Sequence, residues 1–136
     1  MNKENLKQIY VKYNLDKEDI FTLKFGNTEK HIITRSGVEK IQNTLGIECN
    51  YKIEKLSEDH KSCIILATGC IFKIDDKGQK VPAMMLQSFG EVSPNNNKSP
   101  YPISICEKRA LARVVIKMSG LYGIHSEDEA EDFKKQ

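Results

Sequence analysis

Hydrophobic positions recur at helical spacing in three segments of the chain. Residues 2–14 and 34–46 each predict a short amphipathic helix, and Gly46 is a natural stop for the second one. Residues 102–119 predict the longest helix, with Pro102 in its first turn and Gly120 directly after its end. Its predicted apolar face consists of Ile103, Ala110, Leu111, Val114 and Met118.

Alternating or β-branched runs predict strands between the second and third helices. They cover residues 48–56, 62–74 and 80–90, and Asp75 to Gly78 is a hairpin turn signal between the last two. A shorter run at residues 20–25 predicts one more strand. The order predicts an α+β fold: a three-stranded antiparallel meander flanked by helices, an α-β-β-β-α core, with a short N-terminal helix before it.

Two side-chain partnerships follow from these helices. Ser36 and Glu39 have the spacing of a capping box at the start of the second helix. Glu107 projects into the predicted apolar face of the long helix, where a carboxylate needs a partner, and Arg35 is the candidate.

The charge distribution divides the chain into a basic body and an acidic tail. The formal net charge is +2. A length of 136 residues suits a single domain, which we place at residues 1–125. Residues 126–136 carry five acids and two lysines, so the body holds 19 basic and 14 acidic residues. We interpret the tail as a solvated end, a nucleic-acid mimic or a contact for a protein partner, and Ser126 with Glu129 predicts a cap for a short final helix.

Several functional classes are disfavoured by what the sequence lacks. No apolar run approaches the length of a membrane span, and the first ten residues lack a secretory h-region, so we expect a cytoplasmic protein. The four cysteines and three histidines are scattered without metal-ligand spacing, which predicts buried thiols and no cofactor. No pair of acids has a recognisable catalytic spacing, so we do not expect an enzyme.

Three cations lie on one stripe of the long helix. Arg109, Arg113 and Lys117 are four residues apart, about 6 Å along the axis. Like charges at this spacing repel each other. Either the stripe is a solvated edge whose charges pair with Asp or Glu elsewhere, or it is a track for an anion such as a phosphate backbone.

Residues next to the stripe extend the second interpretation. Lys108 lies beside it, and the loop at residues 90–102 adds Lys98 and asparagine amides. A loop of this length in a small domain is more often functional than idle. Three aromatic residues are candidates for stacking against bases, or alternatively for the core: Tyr51, Phe89 and Tyr101.

Three local patterns resemble the core of single-strand annealing proteins, both the ERF-type phage recombination proteins and the eukaryotic annealing mediators of the Rad type. Residues 38–56 (VEKIQNTLGIECNYKIEKL) resemble their helix that ends in glycine and leads into the first strand. Residues 86–94 (LQSFGEVSP) resemble the end of their third strand, and residues 107–113 (EKRALAR) resemble their Lys-Arg-Ala-Leu helix. The GLYG sequence and the acids after it resemble the close of that helix and the tail of phage-type proteins, so the resemblance covers roughly residues 34–132.

The resemblance implies a binding function without bond chemistry. In those families the Lys-Arg pair contacts the DNA backbone, which implies that role for Lys108 and Arg109. Arg113 stands one position later than a third arginine of the eukaryotic members, and Arg35 is a further candidate. The expected protein is a phage-type single-stranded DNA-binding and annealing protein of recombination or replication, assembled as a homo-oligomeric ring or filament.

A different class of function uses the same basic helix. The alternative is a small phage-type interaction module or inhibitor that binds a protein or an anionic ligand without annealing DNA. DNA binding that increases with oligonucleotide length separates the two interpretations.

Overall fold

The computed structural model describes residues 3–121 and 123–127. Within these residues the fold is α+β, with three helices and two three-stranded sheets. The helices are α1 (Lys3–Lys12), α2 (Arg35–Leu45) and α3 (Pro102–Ser119). No helix among the described residues is long and apolar enough to cross a membrane.

The larger sheet is the predicted antiparallel meander. It consists of β3 (Glu48–Leu56), β4 (Cys63–Ile74) and β5 (Lys80–Val92), in that order, so β3 and β5 form its two edges. The register runs from Cys63 opposite Val92 to Ile74 opposite Lys80, which makes the β4–β5 hairpin much longer than β3.

A second sheet was not predicted in full. It joins β1 (Ile20–Phe25) and β2 (Thr28–Ile33) as an antiparallel hairpin, and β6 (Ile124–Ser126) pairs with β2 in parallel. The sequence analysis predicted only β1. The last three residues of β2 are all buried rather than alternating, and β6 is only three residues long, so neither strand has a periodic signal.

The core lies between α3 and the inner face of the larger sheet. Ala110, Leu111, Val114 and Met118 of α3 are buried, as predicted, while Ile103 is only partly buried. Two glycines let the helix approach the strands closely. A Cβ on Gly69 would lie 2.6 Å from Met118 Sδ, and a Cβ on Gly90 would lie 2.5 Å from the backbone nitrogen of Ala110.

Both predicted side-chain partnerships of the helices are wrong. The N-cap of α2 is Thr34, whose hydroxyl accepts a hydrogen bond from the backbone nitrogen of Gly37, so Ser36 lies inside the first turn. Glu107 is exposed, and Arg35 instead pairs with Glu39 at 3.1 Å, one helical turn away. An exposed carboxylate keeps its hydration and requires no buried partner.

The start of α2 is held by a buried carboxylate that the sequence analysis did not single out. Asp19 is 1% exposed and accepts hydrogen bonds from Ser36 and from Lys40 Nζ, the latter at 2.7 Å. Burial alone would raise the pKa of Asp19, but the hydrogen bonds from Lys40, Ser36 and the backbone of Asp16 outweigh it and hold the pKa below its usual value.

Candidate nucleic-acid interface

The cationic stripe of α3 lies along the free edge of β5. Arg109 Nη1 donates to the carbonyl of Glu91 at 3.0 Å, and Arg113 Nη1 donates to the carbonyl of Phe89 at 2.8 Å. Lys117 Nζ donates to the carbonyl of Gln87 at 2.8 Å. Three successive cations of the helix therefore bind alternate carbonyls of the edge strand.

This arrangement follows from two repeat lengths that nearly coincide. Four residues of an α-helix advance about 6.0 Å, and two residues of an antiparallel strand advance about 6.8 Å. A helix antiparallel to the edge strand can thus place one cation opposite each outward-facing carbonyl. Each cation satisfies a carbonyl that has no neighbouring strand to bind it.

The exposure of the three cations differs along the helix. Arg109 is 3% exposed, Arg113 is half-buried, and Lys117 is exposed. The sequence analysis considered acidic partners or a bound anion for these charges and did not consider backbone carbonyls as their acceptors. Sequence gave no signal for this, because every residue carries a carbonyl and only the tertiary structure selects three of them.

Burial gives Arg109 a structural role, and its predicted DNA contact does not fit the position of its side chain. Its second guanidinium nitrogen, Nη2, donates to the carbonyl of Asn96 at 2.8 Å, so the side chain joins the edge of β5 to the following loop. A guanidinium enclosed in this way does not present its charge to a ligand.

The asparagine-rich loop uses its amides to fold itself. Asn96 Oδ1 accepts from the backbone nitrogen of Ser93 at 2.8 Å, and Asn97 Oδ1 accepts from that of Ser99 at 3.1 Å. Turns of this kind are the usual use of asparagine in loops. An anion would need the Nδ2 donors, and that of Asn97 already donates to the carbonyl of Ser99 at 3.2 Å, so its predicted contribution to an anion track competes with its role in the loop.

Lys98 lies in a different place from the stripe. It is exposed and lines a cavity of about 440 Å³ between the loop and the β3–β4 turn. His60 and Lys61 line the same cavity, which adds two basic side chains that the sequence analysis did not connect with Lys98. Their separation of almost 40 residues in sequence gave no reason to join them.

Lys108 and Arg35 also lie apart from the row on β5. Lys108 is half-buried on α3, next to Arg109 in sequence but turned by about 100° around the axis. The backbone nitrogen of Arg35 donates to Glu127 Oε1 at 2.6 Å, so a carboxylate of the C-terminal segment occupies the first turn of α2. The structure therefore does not bring all six predicted cations to one surface.

Two of the three aromatic candidates are widely exposed. Phe89 is 51% exposed and Tyr101 is 70% exposed, while Tyr51 is 40% exposed on β3. Phe89 is the aromatic residue directly at the stripe, because its own carbonyl accepts from Arg113. The ring of Phe89 itself lies on the face of the sheet opposite to α3, because side chains alternate along a strand and the neighbouring Gly90 faces α3.

The acidic segment is described only at its start. Ser126 is the last residue of β6, and the predicted cap with Glu129 reaches beyond the described residues, as do residues 128–136 of the tail. No cluster of three or more His, Cys, Asp or Glu that could hold a metal is found in the described ranges 3–121 and 123–127.

Comparison with protein-family models and with curated protein sequences found no match for the chain.

Proposed function

We propose that this chain binds single-stranded DNA through Arg113 and Lys117 at the edge of β5 and promotes the annealing of complementary strands as a homo-oligomer in the cytoplasm. The observation that carries the proposal is the row formed by Arg113 and Lys117 along the edge of β5, the strand that also carries the exposed ring of Phe89. Fixed cations contact phosphates and an exposed ring stacks on bases, which are the two contacts that single strands offer without sequence preference.

The carbonyl contacts support the proposal in a second way. A lysine has three N–H donors, so the bond from Lys117 to the carbonyl of Gln87 does not exhaust the group. The carbonyl of Gln87 anchors Lys117 at 2.8 Å, which reduces the side-chain freedom that an incoming phosphate would otherwise have to restrict. The repulsion between neighbouring cations is reduced by the carbonyls and would be reduced further by a phosphate chain.

Further cations serve as secondary contacts in this proposal. Lys98 lies within the loop that precedes α3, Lys108 lies in the second turn of α3, and Arg35 lies at the start of α2. The four cysteines are all free thiols, as expected in a reducing cytoplasm.

Fluorescence anisotropy with labelled single-stranded oligonucleotides of increasing length, at two salt concentrations, tests the proposal. The variant Arg113→Gln/Lys117→Gln is compared with Lys17→Gln/Lys24→Gln, which removes two exposed lysines elsewhere. We expect the first variant alone to lose affinity and to lower the salt slope by roughly 1.4, since each phosphate contact on a single strand contributes about 0.7.

Annealing is measured separately, by quenching between two complementary labelled strands. Wild-type protein that binds neither long nor short oligonucleotides at low salt, while folded, would exclude the DNA function. Equal losses in the two double variants would mean that total charge, rather than the edge of β5, controls binding.

A protein-binding module is the second candidate, and one surface favours it. Ile74, Met84 and Met85 on the distal part of the β4–β5 hairpin are 67%, 43% and 55% exposed. Flexible methionines exposed together are frequent at protein-binding surfaces. This function predicts that the chain binds a protein partner, that the Met84→Ser/Met85→Ser variant loses this binding, and that no binding increases with DNA length.

A further inference from the structure

The two edges of the larger sheet differ in their protection. At the β5 edge, Lys117, Arg113 and Arg109 occupy the carbonyls of alternate residues. The other edge is β3, where eight of nine residues are exposed and only Cys49 is partly buried. An exposed edge strand is a ready template for pairing with another strand.

The register identifies which backbone groups of β3 point outward. Because the carbonyls of Gln87 and Phe89 point away from β4, their partners Thr68 and Leu66 must direct their own backbone groups toward β3. Thr68 and Leu66 stand opposite Asn50 and Lys52, so these two residues bond to β4. The alternate residues of β3, which are Cys49, Tyr51 and Ile53, therefore present their N–H and C=O groups to the outside.

We propose that β3 pairs with β3 of a second copy of this chain, antiparallel and about a two-fold axis at Asn50, to form a continuous six-stranded sheet. The outward N–H and C=O groups of one copy must stand opposite the outward groups of the other copy. This restricts the symmetric registers to those in which the two-fold axis passes through a single residue of this segment. The regular part of β3 ends at a bulge between Ile53 and Lys55, which limits the overlap further.

The charges on β3 select one of these registers. With Asn50 at the axis, Glu48 faces the partner subunit's Lys52, and symmetry forms this ion pair twice. A register centred on Tyr51 places Glu48 opposite the partner's Glu54, and one centred on Lys52 places two lysines opposite each other. Like charges directly opposite destabilise a strand pair and opposite charges stabilise it.

The side chains that would be covered are apolar. Tyr51 and Ile53 are 40% and 53% exposed on the same face of the strand, and pairing removes part of that surface from water. Glu48 and Lys52 now pair with Lys80 at 2.8 Å and with Glu54 at 3.6 Å, but these pairs are exposed and rearrange at little cost.

This contact supplies a subunit interface for the homo-oligomer and in that respect rests on the proposed function. A two-fold contact closes at two copies, so a ring or filament would need a second surface.

Light scattering coupled to size-exclusion chromatography on the full chain tests the pairing by charge reversal. Wild type is expected to dimerise at micromolar concentration, and Glu48→Lys or Lys52→Glu alone should weaken the dimer by roughly tenfold or more, because each creates two like-charge pairs. The double variant Glu48→Lys/Lys52→Glu restores both ion pairs and should restore the dimer. Lys77→Glu, in the β4–β5 turn, is the control that should change nothing.

Each other outcome overturns the pairing. A wild type that stays monomeric, single reversals that remain dimeric, or a double variant that stays monomeric although its circular dichroism spectrum shows a folded chain would each do so. Anisotropy with DNA on the same samples separates the two proposals: a dimer without DNA binding refutes only the DNA function, and DNA binding by a monomeric wild type refutes the pairing and the homo-oligomeric state but not the binding of DNA.

Discussion

Replacing Arg109 by methionine tests whether the cationic stripe stabilises the edge of β5. The substitution keeps much of the apolar stem of the side chain and removes the guanidinium hydrogen bonds to Glu91 and Asn96. The carbonyls of Glu91 and Asn96, now bonded at 3.0 and 2.8 Å, lose their cationic donor Arg109, which is itself 3% exposed.

The magnitude follows from the number of carbonyls and from their access to water. A buried carbonyl left without a partner costs about 1–3 kcal/mol, so two of them predict a loss of roughly 2–6 kcal/mol in the free energy of unfolding. At Lys117 the side chain is exposed, and water can replace the lost hydrogen bond to Gln87. We therefore expect Lys117→Met to cost less than about 0.5 kcal/mol.

Urea unfolding followed by circular dichroism measures the free energy of unfolding of each variant. The dependence of that free energy on urea concentration should be the same for all of them. The expected order of destabilisation is Arg109→Met, then Arg113→Met, then Lys117→Met, in parallel with burial. Arg109→Lys should behave more like Arg109→Met than like wild type, because an ammonium on an unbranched stem cannot bridge two separate carbonyls as a fork does. Equal stabilities for Arg109→Met and Lys117→Met would refute the structural role of the stripe.

Three further predictions concern other parts of the fold. Gly90→Ala should destabilise the protein by about 3 kcal/mol or more in urea unfolding, because the new Cβ would overlap the backbone carbonyl of Cys106; a loss below 1 kcal/mol would mean that α3 shifts freely. Asp19→Asn should lose roughly 2 kcal/mol at neutral pH. Since the folded-state pKa of Asp19 is lowered, its contribution is complete above the ordinary aspartate pKa of about 4 and disappears as the pH falls through the lowered value. Stability curves of wild type and Asp19→Asn should therefore converge only in acid, and a constant difference down to pH 2 would contradict this. Glu127→Gln should tighten single-stranded DNA binding by roughly twofold to fivefold in anisotropy if the start of α2 contacts a phosphate; unchanged affinity would remove Arg35 from the interface.

The parts of the fold that sequence predicted well are those with strong local periodicity. The long helix is found within the predicted range 102–119, and the meander strands differ from the prediction by at most two residues. Periodicity alone placed Val114 and Met118 in the core, because their burial depends on a face of one helix. The capping box failed for a similarly local reason: Thr34 stands two residues before Ser36 and takes the N-cap.

The candidate site was predicted in composition but not in arrangement. The row of Arg109, Arg113 and Lys117 on one side of α3 was correctly expected from spacing. Its acceptors were not, because they are backbone carbonyls more than ten residues away whose availability depends on β5 being an edge. Lys98 and Lys108 were grouped with the row because they lie near it in sequence, and Arg35 was grouped with it by resemblance; the fold distributes the three over separate surfaces.

The sequence by itself determined the α+β class, the meander and the long helix, since each depends on the period of hydrophobic residues within one segment. Only the tertiary structure decided the second sheet, because its parallel pair joins residues 31–33 to residues 124–126, and such a contact leaves no local pattern. The tertiary structure also decided the function of the stripe in the fold. Four residues of a helix and two residues of a strand have nearly the same length. Cations spaced by four on α3 can therefore bind alternate carbonyls of β5, but only because the fold places the helix along an edge strand whose carbonyls are unpaired by a neighbouring strand.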